Sequence, residues 1–326
     1  MRPLFQRYPA LQDCLPCAET ADLPTPVHAL AHLRNAWIKR DDLTHSLYGG
    51  NKIRKLEFIV GEWRQQGVRE VITFGATGTN AGLATALACW QEGIRCRVLL
   101  FDQPASATVR ANLQAMQRLG AQLDYCGSLF ATALRYYLHP RRLLPGRYFL
   151  FAGCANPAAT FAYINAAFEL KDQIAEGLLP EPAEIIVPVG SSSTLAGLTL
   201  GVRLSGLNSQ VIGVRVAPSH LGPFPPAPRK RSCNRFVRPI ASCAATCLTK
   251  FSPTCLNPSC DMIITGQAME NPRRRRARPF ACLANCMASS WSKPTAARRP
   301  HVFWTAWKWP VARCFSGTLS IHAPWK

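Results

Sequence analysis

Residues 1–218 predict an α/β fold of two lobes, in which parallel sheets are covered by helices on both faces. The first observation is the alternation of strand-like apolar runs with helical patterns along this part of the chain. The second is size, because 326 residues that are 48% hydrophobic can bury two modest cores. The third is a change of composition after about residue 218, which limits the regular fold to the part before it.

The predicted elements follow in chain order. Apolar runs typical of strands occupy residues 70–76, 95–101, 147–153, 184–190 and 210–217. Apolar residues three and four positions apart predict helices over residues 80–93, 107–121 and 159–177. Ligands in such folds bind where a strand ends and the chain turns into a helix, so three turns into helices carry the candidate site.

The first turn is GGNKIRKLEF, residues 49–58. Two glycines and Asn51, a candidate N-cap, place Lys52 in the first turn of a helix. The helix dipole disfavours a cation there, and that field together with burial lowers the pKa of a lysine. A neutral amine is the form that condenses with carbonyl compounds. A solvated lysine at a basic helix start is the simpler interpretation.

The second turn is VITFGATGTNAGLATALA, in which Thr79 and Asn80 open a helix of small residues. A hydroxyl and an amide at this edge predict contacts to a planar ligand, and helix capping is the alternative.

The third turn is EIIVPVGSSSTLAGLTLG, where a glycine, three serines and a threonine lead from a strand into a helix. Backbone N–H groups and hydroxyls arranged in this way predict a phosphate site. Because the lysine of a nucleoside-triphosphate loop is missing, a cofactor with a single phosphate is favoured. An amine, an amide and a phosphate cradle are together what pyridoxal 5'-phosphate requires.

IKRDDLTHSLYGGNKIRKLEF, residues 38–58, resembles the cofactor-lysine segment of the 1-aminocyclopropane-1-carboxylate deaminase and D-cysteine desulfhydrase family. These are fold-type II pyridoxal-phosphate enzymes, with a two-lobed, tryptophan-synthase-β-like fold. FGATGTNAG, AGCANPAATFAYINAAFEL and VGSSSTLAGL resemble three further family segments in the same order, and the similarity runs from about residue 8 to residue 217.

The resemblance implies the site residues. Lys52 is the lysine that binds the cofactor aldehyde and shuttles protons, Asn80 contacts the ring hydroxyl, and Thr79 replaces a family serine that approaches the substrate. The phosphate ligands are Gly190, Ser191, Ser192, Ser193 and Thr194. The implied lobes are a large one from residues 1–56 and 162–218, and a small one from residues 57–161.

The resemblance also implies the reaction. It is the conversion of a small amino acid, of the D-cysteine or 1-aminocyclopropane-1-carboxylate type, into ammonia and a 2-oxo acid by a homodimer. Ala81 stands where the family has a histidine, and Thr79 where it has a serine. The resemblance therefore does not identify the substrate. Another β-eliminating or β-replacing enzyme of the same fold is the alternative.

The C-terminal third follows different rules. Residues 219–326 hold 17 Lys and Arg against 2 Asp and Glu, whereas residues 1–218 hold 21 against 16. Residues 261–272 and 312–319, read in a displaced frame, permit family-like segments bearing a tyrosine and a threonine. We therefore predict that the chain is out of frame from about residue 219, that this third is disordered or misfolded, and that this polypeptide is poorly folded or inactive.

A rival hypothesis treats this third as a basic module that binds nucleic acid, with Arg273 to Arg276 as its centre and Trp304, Trp307 and Trp309 for base stacking. We do not expect nucleic-acid binding, since a solvated charge run is the simpler interpretation. No metal site is predicted from the cysteine spacing. Without a signal sequence or an apolar run of membrane-spanning length, a cytoplasmic location is expected.

Overall fold

The computed structural model describes residues 1–216 and 301–304. The helices of this part are α1 (Pro3–Arg7), α2 (Leu11–Cys14), α3 (Asn51–Gln65), α4 (Asn80–Gln91), α5 (Ala107–Arg118), α6 (Leu129–Tyr137), α7 (Ala158–Ala175) and α8 (Ser193–Leu204). The strands are β1 (Val27–Ala29), β2 (Ala36–Lys39), β3 (Glu70–Ala76), β4 (Arg95–Phe101), β5 (Gln122–Gly127), β6 (Arg147–Leu150), β7 (Glu184–Val189), β8 (Gln210–Arg215) and β9 (His301–Trp304).

Four strands form the smaller sheet, in the order β5-β4-β3-β6, and all its pairings are parallel. Side chains of β3 alternate between two apolar clusters. Val71 packs with Leu87 of α4, whereas Ile72 and Phe74 pack with Tyr136 of α6. Helices therefore cover both faces of this sheet, as the apolar strand runs predicted.

Five strands form the larger sheet, in the order β1-β2-β9-β7-β8. All its pairings are parallel except that of β1 with β2, which a short connection joins as an antiparallel pair. Its core contains Ile185 and Val187 of β7, together with Phe161 and Phe168 of α7 and Leu198 of α8.

The strand and helix predictions agree closely with the structure. The observed bounds of β3 and β4 are those predicted, and β7 and β8 end one and two residues earlier than predicted. Strand β6 ends at Leu150 rather than residue 153, because Ala152–Cys154 form a 3-10 turn. Strands β1, β2 and β5 were not predicted, since they are short or only partly buried. The lobe boundaries stay a prediction.

Strand β9 shows that four residues of the C-terminal third form part of the larger sheet, whereas this third was expected to be disordered or misfolded. It lies between β2 and β7, and Val302, Phe303 and Trp304 are buried. The indole nitrogen of Trp304 donates to Asp41 Oδ2 at 2.6 Å, so this ring is not available for base stacking as the rival hypothesis required. Sequence patterning missed this strand because only four residues pair. Arg273 to Arg276, Trp307 and Trp309 lie outside the described residues, and the displaced reading frame stays a prediction.

Among the described residues, no helix is long and apolar enough to cross a membrane.

Candidate active site

The loop before α3 brings Lys52 into the protein interior. Gly50 has a φ of 139°, a backbone conformation that favours glycine, and Gly49 lies so close to Asp42 that a Cβ would meet its carbonyl oxygen at 1.8 Å. Thr44 Oγ1 accepts a hydrogen bond from the Gly50 N–H at 2.9 Å. Asn51 is the first helical residue rather than the predicted N-cap, because Gly50 occupies the cap position.

Lys52 is half-buried, and its Nζ donates to Asn51 Oδ1 at 2.9 Å. Burial lowers the pKa of Lys52, although the nearby Cys154 thiol acts in the opposite direction. A larger fraction of the amine is therefore neutral near pH 7 than for a solvated lysine. This environment favours the nucleophilic interpretation of Lys52 over the solvated one.

The serine-rich turn forms a helix start that is open to an anion. Strand β7 ends at Val189 and α8 begins at Ser193, and the cap residue Ser192 has a φ of 65°. Among the described residues no side chain caps α8, and its first N–H groups have no hydrogen-bond acceptor within the helix. Ser191 Oγ lies 3.4 Å from Ser193 Oγ, and a Cβ on Gly190 would meet no atom within 4 Å. The turn thus has the donors and the space that a phosphate requires.

Lys55 connects the first and third turns and was not predicted from the sequence. Its Nζ donates to Ser193 Oγ at 2.6 Å, and the residue is 1% exposed. Burial, followed by the charge of Lys52, holds the pKa of Lys55 well below its usual value. The three-residue spacing from Lys52, which puts both amines on one face of α3, is the signal that could have found it.

The second turn holds Asn80 at the start of α4. Thr79 Oγ1 accepts from the Gly82 N–H at 3.1 Å, so this hydroxyl caps α4, as the alternative interpretation predicted. The O–H of Thr79 can still donate to another group. The Tyr48 hydroxyl donates to Asn80 Oδ1 at 3.0 Å. Asn112 Nδ2 donates to the same oxygen at 3.1 Å. Neither Tyr48 nor Asn112 was predicted, because both are distant from Asn80 in the chain.

Cys154 lies at the meeting point of these three turns. It is fully buried, and its Sγ lies 3.9 Å from Thr85 Oγ1 of α4. Burial raises its pKa, whereas the charges of Lys52 and Lys55 act to lower it. The neighbouring Gly153 would place a Cβ 3.3 Å from Ser191 Cβ, so the turn after β6 contacts the serine-rich turn.

These residues fit a phosphorylated aldehyde. Lys55, whose pKa is lowered by burial and by the charge of Lys52, donates to Ser193 at the start of α8, and the pKa of Lys52 is lowered as well. An anion bound there compensates the positive charge of the amines and accepts from the free N–H groups. A phosphate held there would lie near Lys55, one turn along α3 from Lys52.

Comparison with known proteins agrees with this geometry. The family model described as "Pyridoxal-phosphate dependent enzyme" matches residues 18–238, which is more than half of the chain. The chain belongs to the pyridoxal-phosphate dependent enzyme family. The cofactor of the family is therefore the one that the three turns predicted.

The chain is also similar to individual proteins of the family. The chain is 34% identical over 219 residues to nocardicin C-9' epimerase of Nocardia uniformis subsp. tsuyamanensis, covering 64% of this chain and 66% of that protein. It is 31% identical over 221 residues to D-cysteine desulfhydrase of Salmonella choleraesuis, covering 63% and 65%. The chain spans slightly less than two thirds of the length of these relatives.

Among solved structures, the chain is similar to a homologue of 1-aminocyclopropane-1-carboxylate deaminase. The two share 27% sequence identity and a TM-score of 0.60, over 73% of this chain and 71% of that one. The fold that the resemblance implied is thus that of a member of the pyridoxal-phosphate dependent enzyme family.

Proposed function

We propose that this chain is a pyridoxal-phosphate dependent deaminase or desulfhydrase that acts on a small amino acid and releases ammonia and a 2-oxo acid. The observation that carries the proposal is the pair of lysines on α3, both with a lowered pKa, of which Lys55 donates to Ser193 at the start of α8. D-cysteine and 1-aminocyclopropane-1-carboxylate are the proposed substrate types, because proteins named for these reactions are among the similar ones.

The proposed binding roles follow the contacts of each side chain. The phosphate is held by the N–H groups and hydroxyls of Gly190, Ser191, Ser192, Ser193 and Thr194. Lys55 Nζ, which donates to Ser193 Oγ, would add a charge-assisted hydrogen bond to the phosphate. Asn80 contacts the ring hydroxyl, and Thr79 faces the substrate with its remaining O–H.

The proposed chemical role belongs to Lys52. Bound pyridoxal phosphate supplies a covalent anchor for amino acids and a ring that draws electrons from the substrate Cα. Lys52 would hold the cofactor aldehyde, and its Nζ would accept and return protons at the substrate carbons. A lowered pKa suits both roles, because an amine near its pKa at working pH transfers protons efficiently.

The test is spectroscopic and chemical. The purified full chain mixed with pyridoxal phosphate should develop an absorbance band near about 410–430 nm, and Lys52→Ala should abolish it. Lys171→Ala, a lysine on α7, is the matched control and should keep the band. Borohydride reduction followed by mass spectrometry should place the adduct on Lys52, and an adduct on another lysine would disprove the assignment.

Product analysis distinguishes the reactions. D-cysteine, 1-aminocyclopropane-1-carboxylate and L-serine are supplied in turn, and ammonia and 2-oxo acid are measured. Release from L-serine alone would favour the alternative, another β-eliminating or β-replacing enzyme of the same fold.

Epimerisation is a second candidate, because a relative at 34% identity is named an epimerase. Epimerisation removes a proton from one face of the substrate Cα and returns one to the other, and Lys52 Nζ would carry the proton on one of these faces. Exchange of the substrate α-proton with deuterated solvent, without release of ammonia, would identify this activity.

We also propose that the enzyme is a cytoplasmic homodimer that does not bind nucleic acid. Sedimentation velocity tests the dimer, and salt-independent passage over immobilised DNA is expected.

A further inference from the structure

Asn112 of α5 lies behind Asn80 and fixes the direction of its amide. Asn112 is 3% exposed, so its side chain is enclosed by protein. Its Nδ2 donates to the Gly78 carbonyl oxygen at 2.9 Å and to Asn80 Oδ1 at 3.1 Å. Both hydrogens of one amide group are thereby used within the turn that carries Thr79 and Asn80.

This pair of contacts determines which atom Asn80 presents to a ligand. A backbone carbonyl only accepts, so the nitrogen of Asn112 must face Gly78. The same nitrogen faces Asn80, which requires the oxygen of Asn80 on that side. Tyr48 donates to this oxygen as well, at 3.0 Å. The amide nitrogen of Asn80 is consequently turned away from both donors and remains available to an acceptor.

We propose that Asn112 is a positioning residue that makes Asn80 present an N–H donor, and not a carbonyl oxygen, to the ring oxygen of the cofactor. The inference rests on the proposed function, in which Asn80 contacts that ring oxygen. A negatively charged ring oxygen is a strong acceptor, so the direction of the amide decides between a charge-assisted hydrogen bond and repulsion.

The decisive variant is Asn112→Asp, which keeps the shape and removes both donors. Its carboxylate repels the Gly78 carbonyl and Asn80 Oδ1, and attracts the Asn80 nitrogen away from the ligand. We expect the dissociation constant for pyridoxal phosphate to rise about tenfold or more and the absorbance band to shift. Asn112→Ala should have a smaller effect, because Tyr48 still holds Asn80. A role in packing alone predicts the reverse order, since aspartate preserves the volume.

The control is Asn165→Asp on α7, which also puts a carboxylate at a buried asparagine. Asn165 is 1% exposed, and its Oδ1 accepts from the Leu4 N–H at 3.0 Å, a contact that aspartate retains. This variant should leave the absorbance band unchanged.

A double-mutant cycle with Asn80→Ala tests separately whether Asn80 binds the cofactor and whether Asn112 acts through Asn80. If Asn112 acts through Asn80, Asn112→Asp has little further effect on the dissociation constant in the Asn80→Ala chain. Additive effects would overturn the positioning role and leave the proposed function standing. No effect of Asn80→Ala alone would overturn the role of Asn80 and the inference with it.

A further measurement needs no cofactor. In the unloaded chain both side-chain amide hydrogens of Asn112 should exchange slowly with deuterated solvent, as followed by nuclear magnetic resonance. Rapid exchange of either hydrogen would contradict the contacts on which the inference depends.

Discussion

Two lysines of the candidate site show how neighbours change the chemistry of a residue. Lys52 and Lys55 lie on one face of α3, and burial lowers the pKa of both. Lys55 also donates to Ser193 of the serine-rich turn, whereas Lys52 donates to its neighbour Asn51. Two lysines three positions apart thus have different proposed roles, one electrostatic and one covalent.

Lys55→Gln tests the electrostatic role. The variant keeps a hydrogen-bond donor near Ser193 but removes the charge, so we expect pyridoxal phosphate to bind about 10- to 100-fold more weakly, the equivalent of roughly 1.5–3 kcal/mol. The measurement is a fluorescence titration with the cofactor, with Lys171→Gln as control. Unchanged affinity would remove Lys55 from the phosphate site.

At the scale of elements, the close packing of α7 on α8 determines where the serine-rich turn lies. Helix α8 presents glycines to α7, so that a Cβ on Gly197 would meet Thr160 O at 2.5 Å and Tyr163 Cβ at 2.6 Å. A Cβ on Gly201 would meet Ile164 Cα at 2.8 Å. The two helices therefore approach each other more closely than side chains would allow, and the start of α8 is fixed relative to α7.

Gly197→Ala tests this packing. The added methyl group has no space, and overpacking of this kind costs about 1–3 kcal/mol in the free energy of unfolding. Urea unfolding followed by circular dichroism measures the change. Gly190→Ala is the matched control, because its methyl group meets no atom within 4 Å and should leave the unfolding free energy nearly unchanged.

At the scale of the whole molecule, a buried ionic network connects elements that are far apart in the chain. Arg54 of α3 donates to Asp41 Oδ1 at 2.9 Å and to Glu169 Oε2 of α7 at 2.8 Å. Lys39 of β2 pairs with Glu169, and Trp304 of β9 donates to Asp41. Two cations and two carboxylates balance one another in the interior, so the loss of any one leaves a buried charge without compensation.

The network predicts how stability depends on pH. Burial alone would raise the pKa of Glu169, but Arg54 and Lys39 hold it at about 2, below the ordinary value of 4.5. The folded state thus binds this proton more weakly than the unfolded state. The contribution of Glu169 to stability is therefore complete above about pH 4.5 and is lost as the pH falls toward 2.

Glu169→Gln should destabilise the chain by about 3–5 kcal/mol at pH 7 and should flatten the dependence of stability on pH between 4.5 and 2. Urea unfolding at a series of pH values provides the measurement. Glu176→Gln, on the exposed C-terminal end of α7, should leave the pH dependence as it is. If the stability of Glu169→Gln fell between pH 4.5 and 2 as steeply as that of the unmodified chain, Glu169 would not be the source of this pH dependence.

Trp304→Phe tests whether β9 is anchored in the sheet as described. The variant removes the indole donor to the buried Asp41 carboxylate, which we expect to cost about 1–3 kcal/mol. Thermal unfolding followed by circular dichroism should show a lower midpoint. Trp90→Phe, at a residue that is 51% exposed, should leave the midpoint unchanged.

The predicted displacement of the reading frame concerns the whole C-terminal third. Sequencing the gene across codons 215–225 tests it, and an uninterrupted frame there would disprove it.

The amino-acid sequence by itself determined the local features of this protein. Apolar periodicity is a property of neighbouring residues, so it located β3, β4, α4, α5 and α7 and the turns that bear Lys52, Asn80 and the serines. The residues of those turns predicted the cofactor, and their resemblance to known segments predicted the family.

The contacts that bring these features together could be seen only in the folded structure. The contacts of Lys55 with Ser193, of Asn112 with Asn80, and of Trp304 with Asp41 connect residues separated by 138, 32 and 263 positions. No local pattern encodes such pairs, because their geometry arises when the two sheets and their helices pack together. For the same reason β9, a strand of four residues, was recognisable only by the partners on either side of it.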